Sequence, residues 1–170
     1  MLRFEFLGKS DFGIMSQKLF AIYRNNMTAI EPAGKIYDED FREWSSAVQE
    51  GIRKESRKII LLYCNDALAG FFQYYTRDSE LLVMEEVQIA PEYQGKKFNI
   101  FRELFGFVFS CLPPTIQTVE AYTVENNRKS QGILSHLGLR CIGKDTTGAF
   151  LHFQGKYERL AQWHKSKPVE

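Results

Sequence analysis

VQIAPEYQGKKFNIFRELF, residues 87–105, joins two apolar runs through a loop that holds Gly95, Lys96, Lys97 and Asn99. The run before it, LLVMEEVQIA, reads as a strand ended by Pro91. The run after it places Phe101, Leu104, Phe105 and Val108 on one face of a helix. A helix N-terminus presents unpaired N–H groups and the positive end of the helix dipole, so a glycine-bearing strand-to-helix loop suits an anion. Lys96 and Lys97 add positive charge beside it.

Reading outward, LRFEFLG alternates as a strand, and Phe12, Met15, Leu19, Ile22 and Tyr23 recur at helical spacing. Asp38 and Asp40 open a second helix with Phe41, Trp44, Val48 and Ile52 on one face. KIILLYC, LAGFFQYYT and LLVMEEVQIA form a three-stranded meander with turns at NDA and RDSE. IQTVEAYTV is a further strand, and ENNRKSQGILSHLG is a short helix capped by Asn126 and closed by Gly138. LRCIGK and AFLHFQG close the sheet. The order β-α-α-β-β-β-α-β-α-β-β predicts one α/β domain of the α+β type. Its mixed, mostly antiparallel sheet has about seven strands flanked by about four helices. The domain is expected over residues 1–156, with 157–170 a polar tail.

Bulk properties narrow the function. The chain has 170 residues, 44% of them hydrophobic and 25% charged, with a net charge of +1. That composition suits a soluble globular protein and gives no basic stripe for nucleic acid. Cys64, Cys111 and Cys141 are scattered, which points to a reducing, cytoplasmic setting rather than a disulfide framework. His136, His152 and His164 lack ligand spacing, so no metal is expected. No stretch approaches the ~18 apolar residues of a membrane span.

The segment 87–105 resembles the GNAT family of N-acetyltransferases, in which a strand ending near V-x-P leads into Q/R-x-x-G-x-G/A and a long helix. The matching residues are Ile89-Ala90-Pro91 and then Gln94-Gly95-Lys96-Lys97-Phe98-Asn99. A second likeness is Asn127 leading to Gly138-Leu139 after the next strand. The resemblance covers residues 2 to about 154. It implies an acyl-CoA N-acyltransferase fold with acetyl-CoA as cosubstrate and no metal. On that basis the backbone N–H groups from Gln94 to Ile100 hold the pyrophosphate, Lys96, Lys97 and Asn99 included. The N–H of Ile89 polarises the thioester carbonyl. Asn127 touches the pantetheine, whose arm lies where the strand ending at Ile89 splays from the one beginning near Ile116.

The loop departs from the family pattern at Lys97 and Asn99, where the family prefers small residues. Asn tolerates unusual backbone angles better than most residues. A tyrosine that many members use to protonate the departing thiolate is Leu134 here, a residue that reads as core packing beside Ile133 and Leu137. For the base that deprotonates the amine, Glu85 and Glu86 are the candidates, on opposite faces of their strand. Glu85 shares its face with Val83 and Val87, where desolvation favours proton acceptance. Glu86 shares its face with Gln88 and suits a cationic acceptor.

The leading expectation is acetyl transfer to a small-molecule or protein amine by direct attack. The alternatives are a catalytically weak GNAT-like domain that binds CoA or a protein partner, and a plain α/β interaction domain. Exposed aromatic strands allow two copies to pair as a homodimer.

Overall fold

The computed structural model describes residues 1–54, 56–95 and 99–166. The elements are β1 (Leu2–Phe6), α1 (Phe12–Thr28), α2 (Tyr37–Arg53), β2 (Lys58–Cys64), β3 (Ala67–Arg77) and β4 (Leu81–Ile89). After them come a short 3-10 turn (Pro91–Tyr93), α3 (Ile100–Cys111), β5 (Thr118–Thr123), α4 (Arg128–His136), β6 (Arg140–Lys144), β7 (Leu151–Lys156) and α5 (Tyr157–Lys165). The seven strands lie in the order β1-β2-β3-β4-β5-β7-β6. β4 pairs parallel with β5, while β1 with β2, β2 with β3, β5 with β7 and β6 with β7 pair antiparallel, so the expected mixed, mostly antiparallel sheet is observed.

Contacts divide the chain into two compact units, Met1–Tyr75 with Glu86–Ile100 and Thr76–Glu85 with Phe101–Glu170. In the first, β2 pairs antiparallel with β1 and β3. The turn between β2 and β3 holds Asn65 and Asp66 at positive φ, a conformation that Asn and Asp adopt at low cost. Phe12 and Leu19 of α1 and Val48 and Ile52 of α2 pack on Ile59, Leu61 and Phe71 of the sheet. The acids Asp38, Glu39 and Asp40 stand in the first turn of α2, where the helix dipole favours negative charge.

In the second unit, β4 runs parallel to β5 from Leu81 opposite Thr118 to Met84 opposite Ala121, and β5 pairs antiparallel with β7. Leu104, Phe105 and Val108 of α3 and Leu134 of α4 are buried. α4 ends in a Schellman arrangement. The Leu139 N–H donates to Leu134 O and the Gly138 N–H to Ser135 O, with Gly138 at φ +91°.

Two expectations are corrected here. Residues 157–165 of the expected polar tail form α5. The burial of Leu160 and edge-to-face rings, Phe105 on Trp163 and Phe109 on Tyr157, hold α5 against α3. Arg102 of α3 stacks over Trp163 and donates to the carbonyls of Trp163, His164 and Ser166, which satisfies acceptors that a helix C-terminus leaves open. The cap of α4 is Asn127 rather than Asn126, its Oδ1 accepting from the Ser130 N–H at 3.0 Å.

Candidate functional site

In the first unit, β4 closes against β3 near its C-terminal end. The approach is so tight that a Cβ on Gly70 would lie 2.1 Å from the Gln88 carbonyl oxygen, so only glycine is accommodated. Ala90 then donates to Ala69 O, and Pro91 starts the 3-10 turn that leads into the loop. A polar network forms on this stretch. Asn26 of α1 donates through Nδ2 to Gln88 Oε1 and to Ile89 O, both at 2.9 Å. Gln94 donates to the same Ile89 O at 2.8 Å and to Asn26 Oδ1 at 3.2 Å. Gln88 in turn donates to Glu86 Oε1 at 3.3 Å, which puts Glu86 and Gln88 on one side of β4 as strand alternation requires.

Ile89 is therefore fixed by two side chains that grip its carbonyl. The Gln94 N–H is engaged with Pro91 O at 3.2 Å, so its side chain and backbone brace the loop entry. Gly95 at φ +114° and Asn99 at φ +47° both take left-handed backbone, as the asparagine in place of a small residue foreshadows. A Cβ on Gly95 would meet open space. Ile100 is buried at the start of α3. Lys96 and Lys97 lie outside the described residues.

Glu85 and Glu86 are both half-buried. Tyr23 lies in the field of the Glu86 and Asp40 carboxylates; burial first, and then these two charges, push its hydroxyl pKa up to about 12. Asp40 pairs with Arg24 at 3.3 Å, and Arg24 lies over the ring of Tyr37. The result is a half-buried cluster of carboxylate, amide and phenol groups. Sequence reasoning found its Glu86 and Gln88 on one face of the strand. Tyr23 was legible only as a member of an amphipathic helix, and Asn26 carried no signal toward this cluster.

In the second unit, Asn127 spends its side-chain oxygen on the α4 cap and keeps its amide N–H₂ group for other partners. Leu134, in the place of the family's tyrosine, is buried as core, and His136 is exposed beside Trp163. Between α3, α4 and α5 lies a cavity of ≈ 370 Å³ lined by Phe101, Arg128, Lys129, Ile133, His136 and Trp163. Among the described residues there is no group of three or more His, Cys, Asp or Glu arranged to hold a metal ion, and no helix long and apolar enough to cross a membrane.

No family model and no curated protein matches the sequence. Solved structures do match the fold. The PaiA N-acetyltransferase of Thermoplasma acidophilum in complex with coenzyme A superposes with TM-score 0.68 at 16% identity, over 92% of this chain and 99% of that one. A GNAT-family acetyltransferase from Staphylococcus aureus Mu50 matches with TM-score 0.68 at 12% identity, over 92% and 99%. The Campylobacter jejuni N-acetyltransferase PseH in complex with acetyl coenzyme A matches with TM-score 0.59 at 16% identity, again over 92% and 99%. The chain has the fold of the GNAT acetyltransferases.

Proposed function

We propose that this protein moves an acetyl group from acetyl-CoA to the nitrogen of an amine. The observation that carries the reading is the passage from β4 into α3. A strand end clamped at Ile89 leads through left-handed Gly95 and Asn99 into a helix N-terminus, on a fold shared with acetyltransferases. That backbone supplies N–H groups to a pyrophosphate, with Lys96 and Lys97 adding charge to the loop. Asn127 offers its N–H₂ group to the pantetheine.

When bound, acetyl-CoA supplies the activated acyl carbon. The chain's own residues do the rest. The N–H of Ile89 would donate to the thioester carbonyl oxygen and stabilise the charge that develops there. Glu86, with Tyr23, Asn26 and Gln88 around it, draws a cationic small-molecule or protein amine. Glu85 or Glu86 accepts a proton from that amine. The cytoplasm is the setting we infer for this reaction.

Thermal unfolding with acetyl-CoA, and with ATP as an anion control, tests the reading. Cosubstrate at ~100 times its Kd adds roughly 2.7 kcal/mol. For a chain of this length that is a rise on the order of 5 °C with acetyl-CoA and a smaller one with ATP. No rise at millimolar acetyl-CoA would sink the reading. A second reading, a domain that binds acyl-CoA without transferring, is favoured by the burial of Leu134 where many GNAT enzymes place a proton donor. Binding without turnover of any amine would select it.

A further inference from the structure

The side-chain amides around the end of β4 admit one orientation. A carbonyl oxygen accepts and never donates, so Asn26 and Gln94 must both present nitrogen to Ile89 O, which they meet at 2.9 and 2.8 Å. The second N–H of Asn26 then reaches Gln88 Oε1 at 2.9 Å, while its Oδ1 accepts from Gln94 at 3.2 Å. With Oε1 so engaged, Gln88 turns its own nitrogen to Glu86 Oε1 at 3.3 Å. Donation therefore runs one way, from Asn26 through Gln88 to the carboxylate, and Asn26 sets its direction.

Asn26, Glu86, Gln88, Ile89 and Gln94 all belong to one compact unit. Helix α1 presents Asn26 on the face it shares with Tyr23, three residues earlier, whose phenol feels the Glu86 charge. Gln88 and Ile89 are 8% and 6% exposed, so water is a poor substitute for the Asn26 donors at either oxygen. The stretch from β4 into the loop is thus held by Asn26 at Gln88, at Ile89 and at Gln94. The neighbouring Asn25 is exposed.

We propose that Asn26 is a positioning residue for acetyl transfer, which holds the entry of the acetyl-CoA loop and the Glu86 carboxylate in one fixed relation. This rests on the acetyl-transfer reading above. Asn26 acts through Ile89 and Gln94 on the loop, and through Gln88 on the group that draws the amine. Without its two donors the Gln88 amide turns over, Glu86 loses the hydrogen bond from Gln88, and Ile89 O keeps Gln94 alone. A loop entry that samples several arrangements binds acetyl-CoA more weakly, because the competent one is then only fractionally populated.

The test compares Asn26→Asp, which keeps the size and the acceptor but removes both donors, with Asn26→Ala, which adds no charge. Asn25→Asp puts the same charge on the adjacent exposed position and serves as control. Each variant is checked for folding by circular dichroism. The dissociation constant of acetyl-CoA, measured by calorimetry well below the unfolding midpoint, is expected to rise about tenfold in both Asn26 variants and to stay unchanged in Asn25→Asp. Lost stability alone does not move that constant in a protein that remains folded. Nuclear magnetic resonance on the unliganded protein supplies a second readout. The N–H₂ protons of Asn26 in the wild type should exchange with solvent more slowly than those of Asn25. In Asn26→Asp the Gln88 N–H₂ resonances should shift. Wild-type affinity in the folded Asn26 variants would overturn the assignment and leave acetyl transfer standing. Equal weakening in Asn25→Asp, equal exchange of the two asparagines, or unmoved Gln88 resonances would each overturn it too. Failure of the wild type to bind acetyl-CoA would instead defeat the acetyl-transfer reading itself, and this proposal with it.

Discussion

Tyr23 lies in the field of the Glu86 and Asp40 carboxylates, and its phenol is held neutral to about pH 12 by burial first and by those two charges second. The sign of the consequence follows from linkage. A folded-state pKa above the ordinary phenol value of 10.0 contributes stability below about pH 10, and that contribution fades as pH climbs through 12. Ultraviolet titration of the tyrosines should find one phenol ionising near pH 12 that is absent in Tyr23→Phe. In Glu86→Gln it should move part of the way back toward 10, since burial is the larger cause. A Tyr23 phenol that titrates with the solvent-exposed tyrosines would remove the carboxylate from its surroundings, and with it the cation-binding edge proposed around Glu86.

At the scale of elements, Asn127 caps α4 and also carries the proposed contact to the cosubstrate. Its cap uses Oδ1 toward the Ser130 N–H. Asn127→Asp keeps that acceptor and adds a charge that the helix dipole favours, so stability should be retained. Asn127→Ala should cost about 1 kcal/mol in urea unfolding. Both lose the amide N–H₂ group, so the thermal response to acetyl-CoA should fall in both. An undiminished response in Asn127→Asp would leave the residue with the cap alone. The same element marks how far the sequence could be read. Helix α4 and its Gly138 stop were legible from short-range pattern, but a choice between adjacent Asn126 and Asn127 depends on backbone geometry that pattern does not fix. Helix α5 was missed because Leu160 alone among its residues is fully buried, while Tyr157 and Trp163 are half-buried and its other face is polar. The carboxylates of β4 stood out because charge in an apolar strand is unusual. Their partners did not: Asn26 meets Gln88 across 62 residues of chain, and Gln154 meets Glu120 across 34. Such pairs exist only once the sheet register is set.

At the scale of the whole molecule, the division into two compact units meets a chain that crosses their boundary inside continuous elements. β3 passes from one unit to the other after Tyr75, β4 passes back after Glu85, and α3 has its first residue in one unit and the rest in the other. Fraying either unit therefore removes hydrogen-bonded residues from strands that the other unit uses, and the two should unfold together rather than in sequence. The chain has two tryptophans, Trp44 in the first unit and Trp163 in the second. Trp44→Phe leaves fluorescence reporting the second unit, and Trp163→Phe leaves it reporting the first. After correction for each variant's own stability by circular dichroism, urea transitions read by the remaining tryptophan should coincide with the far-ultraviolet signal in both proteins, with one midpoint and one slope in each. If the two tryptophans report separate midpoints, the units are independent folding bodies and the continuous strands do not couple them. Stability changes measured on one side, such as that of Asn127→Ala, would then be invisible to Trp44.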